Sequence, residues 1–206
     1  MINTPQEYIK KVCEMFKTYG IKSVTMDDVA RELGISKKTL YLHFKDKAEL
    51  VGMILKMEFK EKAEEFSRVM ANKDNAIEEL FEYYKVQLKL LANQKPNFIY
   101  DLKKYYPSHF DQFHKKKKER MIESMLKNLK RGKKEGLFRE DINEDIVTRM
   151  HVARIESIMS SGLFSFEEIV SPVFFAEAFK YHVYAIVSDK GRKIFKKNIE
   201  SITTNT

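Results

Sequence analysis

Glycine and proline are scarce, seven and four in 206 residues, which leaves too little chain-turning punctuation for a many-stranded sheet. Lys, Glu, Leu, Ile and Met are abundant instead and favour helix. A single cysteine, Cys13, excludes an intramolecular disulfide and points to a reducing compartment. On an amphipathic helix it reads as a small buried hydrophobe rather than a reactive thiol. Long apolar runs are missing as well. Glu7, Lys10, Lys11 and Glu14 break up any signal-peptide core. The most apolar stretch, 172–187, carries Glu177, Lys180 and His182 and is too short to span a bilayer. No Gly-rich phosphate loop, nucleophile elbow or metal-ligand spacing occurs, and the five histidines stand apart in the chain. These absences point away from an enzyme, a metal, a cofactor or a membrane, and toward a soluble, cytoplasmic all-α protein.

The chain does have charge, and the charge is unevenly placed. The formal net charge is +8. Residues 1–50 hold nine basic and seven acidic side chains, whereas 103–134 hold twelve basic and three acidic. A basic balance suits a polyanionic partner without naming it. The densest part of the tract, Lys115 to Lys118, wraps around a helix and is expected to be a solvated surface.

Helical periodicity divides the chain. Ile9, Val12, Cys13 and Phe16 mark a first helix ended by Gly20. Thr25 with Asp28 forms a capping-box start for a second, whose core face is Met26, Val29, Ala30 and Leu33 and whose stop is Gly34. Ser36 caps a third carrying Leu40 and Phe44 inward, and Asp46 with Glu49 opens a long fourth. Further helices are expected over 76–91, from Pro96 through Tyr106, from a Ser108 and Asp111 start to about Gly136, from an Asp141 and Glu144 start to about Gly162, and from Pro172 onward. The tail 198–206 reads as polar and frayed. The expected division is a helix-turn-helix domain over 1–50 and a helical domain over 51–206.

Two short helices joined by a tight Gly-containing turn form a helix-turn-helix. A packing hairpin would carry apolar groups on the outer face of its second helix. Here that face carries Ser36, Lys37, Lys38, Thr39, Tyr41 and His43, hydrogen-bonding groups near a helix N-terminus that also favours phosphate.

The run "GIKSVTMDDVARELGISKKTLYLHFKDKAELV" resembles the DNA-binding segment of TetR-family transcriptional regulators, with the pattern at Leu40, Tyr41, His43, Phe44 and Lys47 matching most closely. "EGLFREDINEDIV", 135–147, is similar to a stretch that precedes the family's dimerisation helices. The resemblance implies that Tyr41, His43, Lys47 and Thr25 contact DNA backbone, while Lys37, Lys38 and Thr39 occupy base-reading positions. It also implies a homodimer on a palindromic operator in double-stranded DNA, with half-sites roughly 34–36 Å apart or a multiple of that. A small-molecule effector that releases a repressor is implied too.

The last helices are apolar beyond one stripe, as an interface across a two-fold axis requires. Ile155, Ile158, Phe175, Phe179, Tyr184 and Val187 are the expected dimer contacts. The middle region is rich in Phe, Tyr and Met, and Tyr84, Leu88, Phe98, Phe113, Met121, Met125 and Met150 are the expected wall of an effector pocket suited to an apolar or aromatic molecule. The alternative is an architectural or partner-controlled helix-turn-helix protein with no ligand. An open cavity among the middle helices favours the sensor, and a filled core favours the alternative.

Overall fold

A computed structural model describes residues 4–203. The chain is 79% helical, and among the described residues the only extended pairing is an isolated bridge between Phe138 and Val187. Eleven helices follow one another in the described chain: α1 Pro5–Tyr19, α2 Met26–Leu33, α3 Lys37–His43, α4 Lys47–Met70, α5 Ala76–Ala92, α6 Pro96–Tyr105, α7 Pro107–Lys134, α8 Glu144–Ser160, α9 Phe166–Ile169, α10 Pro172–Ile186 and α11 Asp189–Thr203. They form two compact units, one of Met1–Glu65 with Gln94–Lys117 and one of Phe66–Asn93 with Lys118–Thr206. The packing therefore recruits α6 and the start of α7 to the helix-turn-helix, which a cut at residue 50 in sequence does not reveal.

In the first unit the interior is Val12, Phe16, Ile21, Val29, Leu40, Phe44, Leu50 and Ile54, each almost fully buried. The caps of α2 and α3 are those the sequence indicates. Thr25 accepts from the Asp28 N–H while Asp28 accepts from the Thr25 N–H. Gly34 ends α2 in the left-handed conformation, φ 69°. Ile35 N–H bonds Ala30 O and Gly34 N–H bonds Arg31 O, closing the turn that aims α3. The turn before α2 is fixed from α6, where Asp101 accepts from the Lys22 N–H at 2.8 Å. Gly34→Ala is expected to lower stability by about 1–2 kcal/mol, because nothing crowds its Cβ and only the left-handed backbone is penalised. Thermal denaturation checks this; an unchanged Tm contradicts it.

The second unit is built on Ile77, Leu80, Leu129, Phe138, Phe179, Val183 and Phe195. The 135–147 segment does several jobs there. Glu135 accepts from the Ala76 N–H at the start of α5 and from Arg131. Gly136 turns the chain at φ 68°, and Leu137 and Phe138 enter the core. Gly132 has no room for a side chain, since a Cβ there would overlap the Phe138 ring.

Several boundaries differ from the sequence reading. α7 begins at Pro107, whose missing N–H costs nothing in a first turn, so Ser108 and Asp111 lie inside the helix. Asn143, not Asp141, caps α8 by accepting from Ile146, while Asp141 pairs with Arg139 at 2.7 Å. α9 is an extra single turn capped by Ser165. The tail is helical through Thr203. Phe195 anchors it, fully buried against Phe179 and Tyr184. Residues 204–206 of the expected frayed tail lie outside the described residues.

Candidate nucleic-acid interface

α3 is held by one inward side chain and one cap. Leu40 is fully buried. Ser36 Oγ accepts from the Thr39 N–H at 3.0 Å, and the two hydroxyls bond each other at 2.8 Å. The exposed positions are Ser36, Lys37, Lys38, Tyr41, Leu42 and His43, with Thr39 half-buried. The expected base-reading and backbone-contacting side chains of α3 therefore share its free surface.

The surroundings sort these groups. Lys37 is turned to Asp27 at 2.6 Å, which holds its ammonium pKa above the usual lysine value. Lys38 is exposed on the outer face. His43 lies edge-on to Tyr8, ring centroids 5.6 Å apart. Lys47 sits at the start of α4 with its ammonium 5.7 Å over the Phe16 ring. Burial lowers its pKa, and Asp101 and Asp28 oppose that shift. Thr25 is less available than the sequence suggested. Its hydroxyl and its N–H both donate to the Asp28 carboxylate, at 2.6 and 2.9 Å, so both donors are committed to the cap.

A family model described as "Bacterial regulatory proteins, tetR family" matches residues 9–54, which span α1 through the first turns of α4. Over this N-terminal stretch, under a quarter of its length, the chain is similar to the tetR family. An HTH-type transcriptional regulator of Staphylococcus aureus (strain bovine RF122 / ET3-1) is 32% identical over 82 residues, 40% of this chain and 42% of that protein. The match thus spans under half the length of that relative. Among solved structures, a transcriptional regulator from Cytophaga hutchinsonii ATCC 33406 superposes with a TM-score of 0.72 at 20% identity, covering 89% of this chain and 98% of that one. A putative transcriptional regulator from Saccharomonospora viridis, solved in complex with choline, gives 0.65 at 18% identity, covering 88% and 96%. At these identities the structural likeness concerns fold.

The second unit contains a cleft of about 450 Å³ between the end of α4, α5 and α7. Its walls mix Phe66, Met70, Leu80 and Met125 with Glu79, Arg120, Ser124 and Asn128. Asn128 is buried, donates to Ala76 O at 2.9 Å, and leaves its Oδ1 without a hydrogen-bond partner. Of the seven expected wall residues only Met125 lines this cleft. Phe98 and Phe113 pack into the first unit's core. Tyr84 and Met121 pack into the second's, and Leu88 is half-buried on α5. Met150 is 67% exposed, because α8 turns Thr148, His151 and Val152 inward instead. Most of the expected wall residues thus pack into the two cores, and the cleft's own lining is mixed polar and apolar.

The expected dimer residues also divide. Phe179 and Val187 are interior to their own unit and cannot be surface contacts. Ile155, Ile158 and Phe175 are half-buried, and Tyr184 is exposed. The apolar side chains that face solvent are Ile146, Met150 and Met159 on α8, and Val173, Tyr181 and Tyr184 on α10.

Histidines far apart in the chain meet inside this unit. His151 Nδ1 and His182 Nδ1 lie 3.2 Å apart. Tyr84 Oη is 3.3 Å from His151 Nδ1, and Arg154 reaches both Tyr84 Oη and the Ala178 carbonyl at 3.3 Å. Burial pushes both imidazole pKa values far below the ordinary histidine range; His182 and Arg154 add to the shift at His151, and Arg154 to that at His182. The pair is neutral in the folded chain. Sequence spacing gave no sign of it.

Proposed function

We propose that this chain is a sequence-specific transcription regulator that binds a palindromic operator as a homodimer, with α3 in the major groove, and that a small molecule in the α4–α5–α7 cleft releases it. The observation that carries the reading is the free face of α3, where cationic and hydroxyl side chains crowd a helix N-terminus while Leu40 alone anchors it. The matched family description, regulatory proteins, supports it. The solvent-facing apolar groups of α8 and α10 support the dimer. The functional division stays near residue 50, with 1–50 as the reading head and 51–206 carrying the effector cleft and dimer face.

The cleft supports an effector over a purely architectural role, because its volume falls in the range of ligand pockets and it holds an unsatisfied buried acceptor. Its mixed walls suit an amphipathic molecule with a hydrogen-bond donor for Asn128. Choline in the S. viridis regulator shows that a related fold can hold a small ligand.

The Lys47 ammonium, placed at the head of α4, serves as a phosphate clamp. Lys47→Ala is expected to weaken binding to every duplex about equally and to reduce the log–log salt slope by about one. Fluorescence anisotropy across a salt series measures both. A changed base preference with an unchanged slope contradicts the clamp.

A further inference from the structure

Leu42 is 77% exposed on α3. A lone exposed leucine carries no message by itself; its register on this helix does. Leu40 fixes the inward direction. At about 100° per residue, Lys38 and Leu42 each stand about 160° from Leu40. Four residues apart, they form the ridge of α3 farthest from the core. The flanking groups have other engagements. Lys37 is turned to Asp27, Ser36 and Thr39 bond each other, and His43 lies against Tyr8. The outermost ridge thus presents a cation and, one turn later, an isobutyl group.

An aliphatic side chain gains nothing from phosphate, and pressing it there would strip water from an anion without replacing the lost hydrogen bonds. Base edges in the major groove offer it one apolar feature, the C5 methyl of thymine. Lys38, on the same ridge, has guanine O6 and N7 or a phosphate within its chemistry.

We propose that Leu42 is a specificity-determining residue that reads the C5 methyl group of a thymine in the operator. The proposal rests on α3 being the recognition helix. It implies that at one position of the site the preference is carried by a methyl group alone. Uracil has the same hydrogen-bonding edge as thymine and lacks that methyl, so it separates apolar readout from hydrogen-bond readout.

The test uses the full chain and the duplex it selects from random oligonucleotides. Each thymine of one half of that site is replaced by deoxyuridine in turn, and affinities are measured for the wild type and Leu42→Ala. The exposed, helix-favouring substitution is expected to fold normally, and circular dichroism melting confirms it. The wild type should lose about fourfold at one thymine, the scale of one buried methyl group. Leu42→Ala should bind the thymine and uracil duplexes equally. If every uracil substitution is neutral for the wild type, or if the sensitive thymine stays sensitive in Leu42→Ala, the proposal is overturned. Selection that yields no preferred sequence at all instead removes the recognition-helix reading beneath it.

Discussion

Tyr181→Lys is expected to give a folded monomer whose operator affinity falls a hundredfold or more. Tyr181 is 72% exposed, so the free chain tolerates the change. In a two-fold interface the same position would bury two unpaired ammonium groups, a penalty of several kcal/mol. Lysine is the right replacement because the Arg154 guanidinium stands 5.8 Å from the Tyr181 ring and would neutralise a carboxylate placed there. Loss of the dimer removes the gain from engaging two half-sites together, on the order of 10²–10⁴. Sedimentation equilibrium with anisotropy titration measures both effects, and an intact dimer contradicts the assignment of the α8 and α10 face. Phe179→Glu does not serve this purpose. Phe179 is fully buried within its own unit, so that variant tests folding.

Acidification from pH 6.5 to 5 is expected to destabilise the second unit strongly. His151 and His182 are buried as neutral rings, with Tyr84 on α5, Arg154 on α8 and each other as the facing polar groups. Burial first, then His182 and Arg154 at His151 and Arg154 alone at His182, depresses the two folded-state pKa values. In the unfolded chain the same histidines take up protons below about pH 6.5. The unfolded state therefore binds more protons, and stability falls as pH falls. The contribution is complete above about pH 6.5 and is lost toward the folded-state pKa values, at about 1.4 kcal/mol per pH unit for each histidine. Carboxylates whose pKa values are lowered, such as Glu58 between Lys17 and Lys62, act at lower pH than this window. Replacing His182 by Phe keeps an aromatic ring against Tyr84 and should halve the slope of stability against pH between 6.5 and 5. Equal slopes in the two proteins contradict the buried pair as its source.

The helix-turn-helix was legible because its determinants are local. Thr25, Gly34 and Ser36 act on residues within five positions of themselves, so their pattern in sequence is their geometry in space. The histidine pair was not legible, because residues 151 and 182 meet only through the packing of α8 on α10. Met150 faces solvent and Phe179 the core, opposite to what their sequence pattern suggests, for a related reason. A helix apolar on more than one side does not say which side its own unit covers. α11 escaped notice because Ile194, Phe195 and Ile199 are scattered among lysines. Gly191, which reads as a helix breaker, allows close approach, since a Cβ there would overlap the Leu137 carbonyl. The cleft between α4, α5 and α7 is lined by serines, asparagines and charged groups beside Phe66 and Tyr83, whereas most of the expected aromatic wall packs into the two cores.

If α3 is the recognition helix, it distinguishes base sequence. The most direct measurement is the affinity of the purified chain for its selected duplex and for a scrambled duplex of equal length and composition, at one salt concentration near 0.15 M. An inverted repeat among the selected sequences is expected, with binding at least about a thousandfold tighter than to the scrambled duplex. Equal affinity for the two duplexes would contradict it.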